Sequence, residues 1–502
     1  MPCRLWRWLK AVRLPRLPHR ESPDHAAFGT ALLLLRPHRQ DHLTVCAADR
    51  QLALQPGRAR ARAAAGAGLV LALATGAFAE TLLLKGATVH TVSGRPIPAG
   101  EVLVRDGRIA AVGKTLSAAE ARGVDLSGLH LFPGMIALDT TLGLTEIGAV
   151  RATRDDREVG DYTPDVQSWI AVNPDSELLP VARANGVAYF EPAPRGGVVA
   201  GQSGLVALDG WTPEQMTVQK PLALHVYWPV MDLDTTPREL ARDKSKWKSL
   251  DEQAKERAAR LRALDDFFKE AQAYAKAKEA ASKGQAQAPT PDPAWEAMLP
   301  FVRGERPLMV HADEVRQIRA AVAWAATNRW NIILAGGRDA WRVADLLARH
   351  RVPVLYEHVF TQPIRDTDPY DAQFRAPAVL QEAGVTVAFG LSLYRDSLVK
   401  NLPYEAAQAV AFGLPAEEAL KGVTLYPAEL AGVANRLGSI EPGKEATLFA
   451  TDGHILDIRA SVKRMWIAGR EVSLESRHTR LYEKYKNRPK PPAAGGSYET
   501  RH

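Results

Sequence analysis

The 502 residues leave room for one large domain and a smaller one, and a hydrophobic share of 46% fits a soluble globular protein with a substantial core. The formal charge of +7 originates in the first 79 residues, which hold 12 of the 64 Lys+Arg and 4 of the 57 Asp+Glu. The remainder carries 52 against 53, a net charge of −1, so charge gives no argument for a nucleic-acid partner.

Residues 1–57 are rich in Arg, Pro and His, show no steady period, and read as an N-terminal extension from a start site placed too far upstream. Arg58, Arg60 and Arg62 then precede an Ala/Gly/Leu/Val run from Ala63 to Ala74 and small residues up to Ala79. A basic region, a short apolar region and small residues at a cleavage point are the parts of a secretory signal peptide, here residues 58–79. The apolar run falls short of the ~20 residues of a membrane span, so the expectation is a periplasmic or secreted protein with no membrane span. Cys3 and Cys46 both precede that cleavage point, which leaves the exported portion without a disulfide or a thiol nucleophile.

From Thr81 the pattern turns strand-like, over Thr81 to His90 and again over Glu101 to Gly113, punctuated by Asp106-Gly107. The same texture returns from Gly438 to Ala450 and from Val462 to Arg470. Two such clusters around a long alternating middle predict a small composite β-sandwich from residues 80–130 and 436–475, with a large α/β domain over 131–435 inserted between them. In that middle, strands are predicted at Met135 to Thr141, Val187 to Pro192, Leu222 to Trp228, Leu308 to Ala312, Asn331 to Ala335, Val352 to His358 and Val385 to Gly390. Helices at Glu314 to Asn328, Ala340 to His350 and Ala376 to Ala383 separate them, a repeat that points to a parallel sheet closed into a TIM-like (β/α)8 barrel, with an open doubly wound sheet as the alternative. An insertion over 234–300 places Leu250, Ala254, Leu261, Leu264, Phe268 and Ala271 at helical spacing, and 476–502 reads as a C-terminal tail.

The segment Phe132-Pro133-Gly134-Met135-Ile136-Ala137-Leu138-Asp139-Thr140-Thr141 resembles the Pro-Gly-x-Ile-Asp-x-His-x-His opening of the amidohydrolase superfamily. The Thr424 to Val433 and Gly438 to Leu448 stretches are also similar to recurrent segments of that superfamily, closest to its imidazolonepropionase-like branch, and the resemblance runs over roughly residues 81–475. It implies a metal-dependent hydrolase of non-peptide carbon-nitrogen bonds, such as those of cyclic amides, with ligands after strands one, four, five, six and eight. On that pattern Asp139 and Thr141 stand where the first two metal-binding histidines belong, and Ala137 replaces an aspartate. His311, in Val310-His311-Ala312, matches the fifth-strand ligand. The sixth and eighth strand ends offer Gly336 and Ser392 in place of histidine and aspartate, and the fourth-strand ligand has no assignable residue.

With so few ligands kept, a binuclear metal site is not supported, and the resident cation, if there is one, is zinc or another divalent metal held by His311 and Asp139. A rebuilt catalytic group of Asp139, His311 and His358 is the alternative, as a mononuclear site or a metal-free acid/base pair, with Glu146, Glu357 and Asp396 as further candidates. The glycine-rich stretch from Pro192 to Gly204 lacks a phosphate-loop lysine pattern and reads as a loop lining a pocket. The partner expected is a small-molecule substrate or ligand. A catalytically inactive ligand-binding barrel and an envelope assembly protein remain as alternative functions, and oligomeric state stays open.

Overall fold

The computed structural model describes residues 81–391 and 395–489. The expectations for residues 1–79, for the tail beyond Pro489 and for Ser392 lie outside them. The chain opens with β1 (Leu82–Val89), β2 (Ile97–Arg105), β3 (Arg108–Gly113), β4 (Arg122–Asp125) and β5 (His130–Pro133). The middle carries β6 (Met135–Thr140), β7 (Val187–Pro192), β8 (Val199–Gln202), β9 (Leu205–Ala207), β10 (Thr217–Gln219), β11 (Leu224–Tyr227), β12 (Leu308–Ala312), β13 (Ile332–Gly336), β14 (Val354–Tyr356) and β15 (Val387–Phe389). It closes with β16 (Leu448–Thr451), β17 (Val462–Ile467) and β18 (Arg470–Glu471).

Both ends of the chain meet in one sheet ordered β18-β17-β16-β5-β1-β2-β3, with β4 also on β1. The two expected layers are thus a single eight-stranded sheet. Its pivot is β5, parallel to β1 on one side and antiparallel to β16 on the other. The Asp106-Gly107 dipeptide turns β2 into β3, both residues having positive φ, as a two-residue hairpin turn requires. Leu84, Val102, Val104, Leu131, Leu448 and Trp466 bury the alternating inner face of this sheet.

The step from β5 to β6 explains the Pro-Gly pair. Gly134 donates its N–H to Thr447 O at 2.9 Å, and a Cβ there would stand 2.5 Å from Ala188 Cβ and 2.7 Å from Thr447 Cγ2. Only a glycine lets three backbones approach so closely. Gly134→Ala is expected to destabilise the chain by about 1–3 kcal/mol through overpacking, read as a lower thermal unfolding midpoint.

A cluster of three histidines marks the same sheet. His90 Nε2 is 2.9 Å from His130 Nδ1, and the His90 ring stacks on Phe132 and meets His454 edge-on. Burial, reinforced by His454 and His130, pushes His90 down to about 4. The unfolded chain therefore binds a proton that the native chain refuses, so stability is complete above pH 6.5 and falls as pH drops toward 4. At pH 5 the loss from this one group is about 2 kcal/mol relative to pH 7, and His90→Gln is expected to flatten that dependence in urea unfolding.

All seven predicted middle strands are present. β11 through β15 run parallel and in order, β8 joins β11 antiparallel, and β6 pairs with β7 in a second sheet. Among the described residues the hydrogen-bonded ladders form these two sheets and not one continuous ring. At one seam the helices Ala416–Val423 and Leu425–Leu430 pack against both β15 and β6; at the other, Ser168 Oγ donates to Pro192 O and Gln202 O. One apolar core spans both sheets, including Ile136, Phe190, Leu224, Val310, Leu334 and Phe389.

The stretch predicted as a glycine-rich loop is shorter than its composition implied, because Val199–Gln202 pairs with β11 as a fully buried strand. The insertion holds a 33-residue helix, Leu250–Ser282, started by a Ser249/Glu252 capping box. It packs through Leu264, Phe268 and Ala271 while its charged residues face outward. No helix of the described residues is long and apolar enough to cross a membrane.

Candidate active site

The strand ends of β6, β7, β11 and β12 bring their polar residues together in an otherwise apolar interior. Glu191, wholly buried near the end of β7, accepts a 2.5 Å hydrogen bond from Ser203 Oγ and stands 3.3 Å from His225 Nε2 on β11. An ionised carboxylate only accepts, so a neutral His225 carries its proton on Nε2 and leaves Nδ1 bare. That Nδ1 lies 3.0 Å from His311 Nε2 on β12, so the proton between the two rings belongs to His311. His311 is left with a bare Nδ1, which lies 3.6 Å from Asp139 Oδ2.

Burial holds His311 well below the ordinary imidazole range, with His225 and Arg195 adding to the effect, so the ring is neutral at physiological pH. Tyr227 stacks flat on it, ring centroids 4.0 Å apart, and fixes its plane. The alternation of β11 places His225 and Tyr227 on one side of the strand, two residues apart.

Asp139 occupies a break in β6, where the register against β7 shifts between Ala137 and Thr140 and the residue adopts φ +50°. Aspartate tolerates this left-handed conformation better than most residues, yet it still costs on the order of 1 kcal/mol or more. The bulge re-aims the side chain, so positions 139 and 141 do not follow the regular strand alternation that the motif implies. The Asp139 N–H donates to Glu191 Oε2 at 3.0 Å. Its Oδ2 is paired with Arg395 Nη1, and its Oδ1 is buried without a partner.

Arg395 joins this aspartate to β14. Its Nη1 and Nη2 reach Glu357 Oε1 and Oε2 at 3.0 and 2.5 Å, a bidentate contact between a guanidinium 14% exposed and a carboxylate wholly buried. Burial brings Arg395 down to about 10, still cationic at neutral pH. Burial, reinforced by Asp313, pushes Glu357 well above the usual carboxylate range, and the two contacts with the guanidinium act in the opposite direction.

Asp139, His225 and His311 each present one ligand atom, all within 4.8 Å of one another. One carboxylate and two imidazoles make a donor set that zinc accepts, and the orphaned Asp139 Oδ1 is an atom a cation would satisfy. The residues present therefore fit one divalent ion.

The sixth-strand end that the resemblance assigns to a metal ligand carries no ligand side chain, being Gly336. A Cβ on Gly336 would lie 2.6 Å from Asp313 Oδ1, and one on Gly390 would lie 2.9 Å from Glu357 Cγ. These glycines make room for carboxylates arriving from neighbouring strands. Thr141 starts a turn, its N–H bonded to Arg395 O.

Of the residues singled out from sequence, Asp139 and His311 come together and His358 does not join their group. His358 Nε2 is 2.7 Å from Asp313 Oδ1, and its Nδ1 takes the Arg338 Nε–H at 3.3 Å. It stands apart from the group of Asp139, His225 and His311. Asp396 is spent on the neighbouring Ser397 N–H, and Glu146 lies in the turn after Thr141, outside the ligand group. Sequence reasoning missed Glu191, His225 and Arg395. The period-two pairing of His225 and Tyr227 in Leu224-His225-Val226-Tyr227 was a signal for β11, whereas Glu191 and Arg395 carried none.

The chain is similar to proteins of the amidohydrolase family, in part of its sequence and in its fold. The amidohydrolase family model matches residues 347–472. The crystal structure of an amidohydrolase from Thermotoga maritima MSB8 superposes with a TM-score of 0.68 at 28% identity, covering 78% of this chain and 99% of that one. Amidohydrolase tasK of Hapsidospora irregularis is 28% identical over 183 residues, 35% of this chain. The D-hydantoinase of Geobacillus stearothermophilus is 36% identical over 80 residues, 16% of this chain. These two matches span 18% and 16% of those proteins' own lengths.

Proposed function

We propose that the protein hydrolyses a non-peptide carbon-nitrogen bond in a cyclic amide, at a mononuclear site formed by Asp139, His225 and His311 where the two sheets meet as staves of a TIM-like barrel. The observation that carries this reading is the convergence of those three side chains around an unpartnered carboxylate oxygen. The name of the D-hydantoinase relative supports the choice of substrate class. When bound, a divalent ion supplies Lewis acidity and a water of lowered pKa.

The remaining work falls to the chain itself. Ser203 and Glu191 fix the His225 tautomer, and burial keeps His311 neutral and available as a ligand or proton acceptor. Arg395 anchors Asp139 and keeps a fixed positive charge beside it. Asp139 and His225 are wholly buried, which limits the access of bulk water to their donor atoms.

The test is metal analysis of purified protein, followed by assay on hydantoin, dihydrouracil and small lactams before and after chelation. One equivalent of zinc, manganese or cobalt with hydrolysis that chelation removes supports the reading. Protein that takes up no divalent metal and opens no ring overturns it. A second reading rests on Arg395, whose contacts with Asp139 and Glu357 already neutralise the buried carboxylates. In that case the site is a metal-free barrel mouth that binds a small ligand without turnover, detected as thermal stabilisation.

A further inference from the structure

The tail expected from Ser476 onward begins as a ten-residue helix, Arg477–Lys486, started by a Ser476/Thr479 capping box. None of its residues is buried, although a helix this short is marginal in water unless an apolar face is packed. The bond that ties its body to the rest of the chain is polar. Arg480 Nη2 donates to Glu177 Oε1 and Oε2 at 2.8 and 2.7 Å.

At 3.6 residues per turn, Arg480 and Glu483 occupy one side of this helix, while His478, Leu481, Tyr482 and Tyr485 fall within an arc of about 100° on the opposite side. Leu481, Tyr482 and Tyr485 are 37%, 66% and 55% exposed, so nothing among the described residues covers the arc. Cations run along both of its borders. Arg477 and Lys484 follow one edge and Lys486 the other, with Lys484 Nζ 5.5 Å from the Tyr485 ring centre and Lys486 Nζ 5.3 Å from that of Tyr482. From Arg477 to Arg488, five Lys and Arg residues stand against Glu483 alone.

An apolar arc that carries tyrosines between two rows of cations suits a helix lying in a membrane interface, where the rings sit at headgroup level and the flanking lysines reach the phosphates. The charge selects an anionic surface. A second copy would set the same cations against one another, and the first 79 residues of the chain are themselves basic. A nucleic acid calls for cations across the face, whereas here they only border it.

We propose that the helix Arg477–Lys486 is a peripheral docking element that lies on the surface of an anionic lipid bilayer, with Leu481, Tyr482 and Tyr485 turned into the headgroup region. Three apolar side chains give a reversible association that weakens as salt is raised.

Co-sedimentation of the full chain with vesicles tests this, comparing phosphatidylcholine alone with phosphatidylcholine holding about 30% phosphatidylglycerol, at roughly 50 mM salt. Wild type is expected to partition onto the anionic vesicles at least about 20-fold more strongly than onto the neutral ones, and to lose about tenfold when salt is raised to roughly 500 mM. The double variant Lys484→Gln with Lys486→Gln should weaken the anionic partition by about 20-fold, at roughly fivefold per cation. Tyr482→Ser with Tyr485→Ser, which keeps every charge, should weaken it by about tenfold. All four side chains are exposed, so unfolding midpoints within about 2 °C of wild type are expected and separate lost docking from a damaged fold.

Equal partition of wild type and either double variant overturns the proposal, as does equal partition onto the two kinds of vesicle, or wild type that stays in the supernatant with both. Binding to a DNA duplex as strong as to the anionic vesicles, with no loss in the tyrosine variant, assigns the face to a nucleic acid and overturns it as well.

Discussion

Arg395→Met should lower the unfolding free energy by about 3–5 kcal/mol, because it leaves the wholly buried Asp139 and Glu357 without their shared cation. Losing the pair differs from never having had it, since two carboxylates then face each other's field in a medium that solvates neither. They respond by taking up protons, so their native pKa values rise above those of the unfolded chain. A carboxyl shifted upward makes the native state the better proton binder, and stability then falls as pH rises through the interval between the two values. The deficit of the variant relative to wild type is therefore expected to be larger at pH 8 than at pH 5.5. Urea unfolding at the two pH values measures it, with Arg395→Lys giving a smaller loss because it keeps the charge and sacrifices the bidentate contact. A loss below about 1 kcal/mol at pH 8 would show that these ion pairs are not formed in solution.

His225→Gln is expected to weaken zinc binding by more than about 100-fold, read by competition with a chromogenic chelator. Glutamine keeps an N–H near Glu191, so the wholly buried carboxylate is not left without a donor. What disappears is the imidazole nitrogen facing His311 and one of the three ligands. Hydrolysis of the ring substrates should fall in parallel. His358→Gln provides the contrast, with zinc affinity changed by about twofold or less, because His358 lies outside the group of converging ligand atoms and pairs with Asp313 and Arg338. Equal losses in the two variants would place the metal on a different set of residues.

Much of the fold was legible because long-range pairing follows local pattern here. Val187 to Pro192 is buried along its whole length, Leu308 to Ala312 at every position but His311, and both strands appear at the predicted bounds. The Asp106-Gly107 turn and the helical spacing of Leu264, Phe268 and Ala271 were equally direct. β8 was missed because its glycine suggested a loop, whereas pairing with β11 outweighs the weak strand preference of Val199-Ala200-Gly201-Gln202. The site was half legible. Asp139 and His311 lie on a recognisable frame, but the partner of Asp139 is 256 positions away, and no spacing rule announces Arg395. His225 looked like an ordinary core residue until its neighbours on β7 and β12 were in place.

The pivot strand ties the history of synthesis to the chemistry of the site. Asp139 follows β5 by only a few residues, and one edge of β5 is closed by β16, with Pro133 opposite Leu448. A growing chain exposes that edge until nearly all of the protein has been made, and pairings so distant in sequence form late. Chains cut short before β16 would keep most of the middle strands yet lack the clamp that holds the start of β6. The strand that leads into Asp139 is thus clamped by one made more than 300 residues later, which couples the shape of this corner of the site to the last part of the fold.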